Sequence, residues 1–170
     1  YLGCGREDVG ECAVLVGDRG RVETAATLLS DPRWLNQDRG LTTVTGTREG
    51  RRITVSAFGM GAPIAAIVLH ELASVGVRTF LRLGTALTLP PVQLGDLVLA
   101  LGAIRGESTS RTYLPLEFPA LADPALTNAL IRAAEDAGRR WVGGLIASYD
   151  GFYTQMFVPG GDRAEAAPET

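Results

Sequence analysis

The sequence contains few residues of the kinds that build disulfide frameworks and metal sites. Of its 170 residues, two are cysteines, Cys4 and Cys12, and one is a histidine. Two cysteines are too few for a disulfide framework, and neither has a cysteine or histidine partner at metal-ligand spacing. We therefore expect reduced thiols, a cytoplasmic protein and no metal site.

Long apolar segments and an excess of positive charge are also missing. No run approaches the roughly 20 apolar residues that cross a bilayer, and no charged segment followed by an apolar one indicates a secretory signal. The formal net charge is -3, which argues against a general nucleic-acid-binding protein. We therefore expect neither a membrane nor nucleic acid among the partners.

The remaining composition is that of an ordinary globular protein, with 46% hydrophobic and 21% charged residues. The length favours one domain with a sizeable core. Short apolar runs followed by glycine-containing loops and helical patterns recur along the chain. We therefore predict an α/β fold, a three-layer α/β/α sandwich around a mixed central sheet.

One stretch predicts a strand that ends in functional residues. The apolar run from Thr79 to Leu83 predicts a buried strand of a parallel sheet. Because ligands bind outside the carboxyl ends of such strands, Arg82 and Thr85 are candidates for holding an anion. For this stretch alone, an ion pair between Arg82 and a carboxylate is an equally good interpretation.

A second candidate anion site follows the apolar strand predicted over residues 13–16. Residues 17–21 form a glycine-containing loop that leads into a helix predicted over 22–29. A strand, a loop and a helix start in this order present backbone N–H groups to an anion, and Arg21 could add its guanidinium. A tight turn with a solvated arginine explains the same residues. Arg39, taken alone, would be surface charge.

Other segments complete the α/β pattern. Residues 30–33 are predicted to end the first helix. Further strands are predicted over residues 41–47, 52–58, 97–101 and 144–148, and further helices over 64–75 and 124–137, the latter capped by Asp123. The aromatic cluster around Phe152 and Tyr153 suits stacking on a flat ligand, or else forms a small satellite core. Residues 158–170 predict a loop or a disordered tail.

Five segments carry a resemblance to a known family. They are Gly17-Asp18-x-x-Arg21, Gly59-Met60-Gly61-Ala62-Pro63 with Glu71-Leu72, and the segments 80–85 (FLRLGT), 115–123 (PLEFPALAD) and 147–153 (ASYDGFY). In this order, and over nearly the whole chain, they resemble the nucleoside phosphorylase family of the purine nucleoside and uridine phosphorylase type. The resemblance is strongest to its uridine phosphorylase-like branch.

This resemblance implies a phosphate-binding set of Gly17, Arg21, Arg39, Arg82 and Thr85. Arg39 would reach the phosphate of a neighbouring subunit, and Arg21 and Arg82 would be the catalytic residues. The implied assembly is a homodimer or a hexamer with shared active sites.

The resemblance also implies a nucleoside-binding set. Phe152 would stack on the nucleobase, with Tyr153, Gln155 and Ala86 nearby. The implied enzyme is a pentosyltransferase that converts a nucleoside and phosphate, reversibly, to free base and ribose 1-phosphate. Phosphate is the co-substrate, and no metal or organic cofactor is implied.

Several positions depart from the family pattern. Ile64 replaces the signature serine, Ala86 and Leu87 follow Thr85 where a small polar residue and a glycine are usual, and Gln155 is out of register with the uracil-reading glutamine. The family's Met-Glu motif holds the ribose hydroxyls, and residues 168–170 (PET) are only weakly similar to it.

We therefore interpret residues 1–157 as a C-terminally incomplete family domain. A non-catalytic or truncated nucleoside- or phosphate-binding relative is one alternative function, and a hydrolytic nucleosidase is another. The three arginines of the implied phosphate site argue against the nucleosidase, because water needs no anion-binding group.

Overall fold

The computed structural model describes residues 1–151, which divide into two compact units. The first unit is Tyr1–Ala86, and the second begins at Leu87. None of the helices in these residues has the length and apolarity needed to cross a membrane. The single family domain over residues 1–157 stays a prediction.

The first unit is built on a five-stranded mixed sheet. Its strands are β1 (Cys12–Val16), β2 (Ser30–Asn36), β3 (Thr43–Arg48), β4 (Arg51–Ala57) and β5 (Thr79–Leu83). Their order is β2-β3-β4-β1-β5. β1 runs parallel to both β4 and β5, whereas β3 runs antiparallel to β2 and β4.

Two helices, α1 (Arg19–Ala26) and α2 (Ala62–Ser74), cover the two faces of this sheet. Leu15 of β1 lies in one buried cluster with Val68 and Leu72 of α2. The next residue, Val16, lies in a second cluster with Val22 of α1. Since successive side chains of a strand point to opposite faces, the first unit is a three-layer α/β/α structure.

In its described residues, the second unit contains a smaller mixed sheet and one α-helix. Its elements are β6 (Leu97–Gly106), β7 (Ala120–Leu121), α3 (Pro124–Asp136) and β8 (Trp141–Tyr149). β6 is central, parallel to β8 and antiparallel to β7. Asp123 caps α3 as predicted, because its Oδ1 accepts a hydrogen bond from Leu126 N at 2.7 Å. The predicted α/β class with mixed sheets is confirmed.

Two sequence-based expectations differ from the structure. Residues 30–33 are expected from the sequence to end the first helix, but they begin strand β2. Helix α1 itself runs over residues 19–26 instead of the expected 22–29. Asp31 has a φ of 50°, and the pairing with β3 is irregular on both sides of Arg33 and Trp34. An edge strand tolerates Pro32 and such irregularities, because only one of its sides must pair.

The second difference concerns β5. The apolar run predicted a buried strand, but among residues 1–151 β5 pairs with β1 alone and lies at an edge of the first sheet. Arg82 and Leu83 are exposed in consequence, Leu83 by 55%. Apolar residues on both faces of a strand do not reveal whether both of its backbone sides are paired.

Candidate active site

The carboxyl ends of three parallel strands lie side by side at one edge of the first sheet. β1 is the middle strand, and Val16 at its end is opposite both Ala57 of β4 and Leu83 of β5. Parallel neighbours are about 4.8 Å apart, so the loops that follow these strands meet within a small region. Ligands of open α/β sheets bind at this kind of edge.

Backbone hydrogen bonds continue the pairing of β1 and β4 into their loops. Phe58 N donates to Val16 O at 3.0 Å, and Gly59 N donates to Gly17 O at 2.9 Å. A Cβ on Gly17 would lie 3.2 Å from the carbonyl oxygen of Gly59. Glycine at position 17 therefore allows the close approach of the two loops at the point where the chain enters α1.

The start of α1 is positively charged. Asp18 caps the helix by accepting a hydrogen bond from Gly20 N at 2.7 Å, and Arg19 and Arg21 follow in the first turn. The N-terminus of a helix already carries a partial positive charge, so a bound anion would offset the charge of these arginines. The Arg21 side chain is partly buried and forms no ion pair with any other residue of the described range.

Arg82, near the end of β5, places its guanidinium beside Gly84 and near the ring of Phe58. Its Cζ lies 5.8 Å from the centroid of the Phe58 ring. Within residues 1–151 its side chain has no carboxylate partner, so the strand-end ion pair considered from the sequence gains no support there. Thr85, three residues on, is exposed.

Arg39 also belongs to this edge of the sheet. β3 runs antiparallel to β4, so its start adjoins the end of β4, where Ala57 N donates to Thr42 O at 2.8 Å. Arg39 precedes β3 in a short 3-10 turn, is exposed and has a φ of 55°. Its Cζ lies 5.7 Å from the centroid of the Tyr1 ring. The reach of Arg39 into a neighbouring subunit stays a prediction.

The fold thus brings the whole predicted phosphate set to one edge of the first sheet: Gly17, Arg21, Arg39, Arg82 and Thr85. Of the predicted nucleoside set, Ala86 is the exposed last residue of the first unit. Phe152, Tyr153 and Gln155 lie outside the described residues. Among the residues described, no group of three His, Cys, Asp or Glu side chains could hold a metal ion.

Comparison with known proteins decides the family. Residues 11–167 match the family model of the Phosphorylase superfamily. This chain belongs to the phosphorylase superfamily. The resemblance inferred from the five sequence segments is confirmed.

Named relatives of this phosphorylase-superfamily chain agree with the match. It is 40% identical to a uridine phosphorylase of Thermococcus kodakarensis over 161 aligned residues. The aligned region covers 94% of this chain and 58% of the relative. It is 40% identical over 149 residues to a guanosine phosphorylase of Halorubrum lacusprofundi, and the aligned region covers 87% of this chain and 62% of the relative. It is 37% identical over 166 residues to a uridine phosphorylase of Escherichia coli, and the aligned region covers 96% of this chain and 64% of the relative. The chain spans about three fifths of the length of these curated relatives.

The second unit of this superfamily member contains a hydrogen-bonded cluster that the sequence analysis missed. Arg105 on β6 donates to the carbonyl oxygens of four loop residues and to one hydroxyl, at distances from 2.6 to 2.9 Å. The acceptors are the carbonyl oxygens of Ser110, Leu114, Pro115 and Phe118 and the Oγ of Ser110. Arg105 therefore organises the loop between β6 and β7, although nothing in its sequence context distinguishes it from a surface arginine.

Glu107 and Asp150 extend this cluster. Glu107 is only 7% exposed, and its Oε2 accepts from Ser110 N at 3.0 Å. Burial opposes the charge of Glu107, but hydrogen bonds from Ser110 and Thr109 outweigh it and hold the pKa of this carboxyl below its usual value. Asp150 Oδ2 accepts from Ser108 N at 3.1 Å and from Ser108 Oγ at 2.7 Å. The loop is thereby tied to the end of β8, just before the segment that contains Phe152.

Proposed function

We propose that this chain carries the phosphate-binding and nucleoside-binding residues of a nucleoside phosphorylase. The enzyme is a pentosyltransferase that converts a nucleoside and inorganic phosphate, reversibly, to free base and ribose 1-phosphate. The observation that carries the proposal is the position of Arg82 at the carboxyl edge of parallel strands. Among the described residues, its side chain has no carboxylate partner. Membership of the phosphorylase superfamily supports the same assignment.

The proposed phosphate site uses the edge formed by β1, β4 and β5. Gly17 allows the loops after β1 and β4 to approach closely, the guanidinium groups of Arg21 and Arg82 bind phosphate oxygens, and Thr85 adds a hydroxyl. Planar guanidinium groups match phosphate oxygens through paired, charge-assisted hydrogen bonds. Arg39 completes the site of a neighbouring subunit in a homodimer or a hexamer.

In the proposed reaction, a phosphate oxygen attacks the anomeric carbon of the ribose. The bond from this carbon to the base nitrogen breaks, and its electron pair leaves with the base. Positive charge develops on the ribose in an oxocarbenium-like transition state, which the adjacent phosphate dianion stabilises. Arg21 and Arg82 act as the catalytic residues by holding the dianion in line with the departing base.

The proposed nucleoside site comes from Phe152, Tyr153, Gln155 and Ala86. Phe152 stacks on the base, because every nucleobase presents a flat π-face to an aromatic ring. The relatives are named for uridine and for guanosine, so the proposal concerns nucleosides as a class. Phosphate is the co-substrate, no metal or organic cofactor takes part, and the protein acts in the cytoplasm.

The experiment that tests this function follows release of free base from uridine, inosine and guanosine by the purified chain, with and without phosphate. Phosphate-dependent release accompanied by ribose 1-phosphate supports a phosphorylase. Release at the same rate without phosphate indicates a nucleosidase instead. Nucleoside binding without any release indicates a binding relative.

A further inference from the structure

We propose that Phe58 and Gly84 are positioning residues for Arg82 before any anion binds: the ring of Phe58 holds the guanidinium at the sheet edge, and Gly84 leaves it the room to lie there. The role of that guanidinium in phosphate binding rests on the function proposed above. The positions of the two residues around Arg82 are independent of it. Both act through Arg82 and need no contact with the substrate.

Gly84 leaves open the space that the Arg82 guanidinium occupies. A Cβ on Gly84 would lie 2.6 Å from Arg82 Nη1 and 3.1 Å from both Cζ and Nη2. These three atoms are the nearest to that position, and all belong to the same guanidinium. The φ of Gly84 is outside the left-handed region that favours glycine. Glycine at position 84 therefore leaves room for this placement of the Arg82 guanidinium, and its backbone conformation does not itself require glycine.

Phe58 is the second neighbour of the Arg82 guanidinium. Its side chain is 5% exposed and packs in the buried cluster that contains Leu15 and Val68. Its backbone N–H donates to Val16 O, so the ring is anchored where β4 adjoins β1. The Arg82 Cζ, 5.8 Å from the ring centroid, is within the range of a cation–π contact.

The chemistry of these two neighbours matters for an anion site. A carboxylate could also hold an arginine in place, but it would occupy N–H donors and cancel the charge. A contact with an aromatic ring restrains the guanidinium, and a neighbouring glycine leaves it room, while its five N–H donors stay available. Because a long side chain loses rotamer freedom on binding, a guanidinium that is already held in place binds an anion with a smaller entropic cost.

The main test compares Gly84→Ala with Gly144→Ala, where an added Cβ would meet nothing within 4 Å. The atom that obstructs a methyl at position 84 is the far end of a flexible side chain, so Arg82 can move away and folding should survive. We expect Gly84→Ala to weaken binding of inorganic phosphate, measured by calorimetry, at least about fivefold. We expect Gly144→Ala to leave it unchanged, and both variants to keep the melting temperature of the parent chain.

Two further readouts separate positioning from a structural effect. In an Arg82→Ala background, Gly84→Ala should change kcat/KM for phosphate less than about twofold, because the two residues act as one unit. An arginine-directed dicarbonyl reagent, read by mass spectrometry, should modify Arg82 faster in Gly84→Ala and in Phe58→Leu, with Arg51 as the internal reference. If Phe58→Leu does not fold, Gly84→Ala decides alone.

The outcomes distinguish this proposal from the proposed function. Unchanged phosphate affinity together with an unchanged rate of Arg82 modification in Gly84→Ala overturns the positioning role. A fall in melting temperature that explains the lost affinity also overturns it, since the glycine would then serve the fold. A parent chain that binds no phosphate, but whose Arg82 modification still depends on Gly84, supports the positioning role and refutes the proposed function.

Discussion

Replacing Arg82 by alanine tests the proposed phosphate site most directly. The side chain is exposed and has no carboxylate partner in the described part of the chain, so its removal leaves no buried charge unpaired. The loss of its contact with the Phe58 ring should cost stability only about 0.5–1 kcal/mol. The fold should therefore survive the substitution, and an effect on activity can be attributed to the site.

The expected effect on catalysis is much larger. Losing one preorganised group that stabilises charge in a transition state costs about 2–4 kcal/mol, or roughly 30- to 1,000-fold in kcat/KM. Arg82→Lys should recover part of this loss, because lysine keeps the charge but cannot offer two parallel hydrogen bonds. The assay is initial-rate phosphorolysis with phosphate as the varied substrate, alongside thermal unfolding of each variant.

Arg51→Ala is the matched control. Arg51 is likewise exposed, but it begins β4 and so lies at the opposite end of that strand from the proposed site. Its replacement should leave kcat/KM within about twofold of the parent chain, as expected for a surface substitution away from the active site. A kcat/KM for Arg82→Ala within a few fold of the parent chain would show that the phosphate assignment is wrong.

Three further predictions concern other residues. Phe152→Ala should weaken nucleoside binding by about 1–3 kcal/mol and leave phosphate binding intact, and the reverse pattern in titrations would contradict its stacking role. Ser108→Ala removes the hydroxyl that donates to Asp150 and should lower the free energy of unfolding by about 1 kcal/mol in urea titrations; no change would show that this bond does not stabilise the loop. Folding lowers the pKa of the Glu107 carboxyl below its ordinary value of 4.5. Ionised Glu107 therefore stabilises the folded state when the pH is above 4.5, and this stabilisation is lost as the pH falls through the pKa of the folded state. Urea unfolding between pH 7 and 3 should show this loss in the parent chain and a smaller one in Glu107→Gln; identical pH profiles would refute it.

Local sequence patterns were sufficient for much of the fold. β5 begins and ends where its apolar run does, and Asp123 caps α3, because strand formation and helix capping here depend on neighbouring residues. β2 was missed because Asp31 and Pro32 are turn residues by local criteria. Their place in a strand depends on pairing with β3, which the local sequence does not encode.

The sequence by itself determined the family and the identity of the candidate site residues, since five short segments in a set order are properties of a linear chain. Tertiary structure alone decided that β5 lies at an edge of the sheet formed by the described residues, and that the Arg82 guanidinium lies near Phe58 and Gly84. It also decided that Arg105 organises a loop and that Ser108 holds Asp150, 42 residues away in the sequence. The physical reason is that these properties belong to pairs of residues distant along the chain, which come together only when strands pair and loops close.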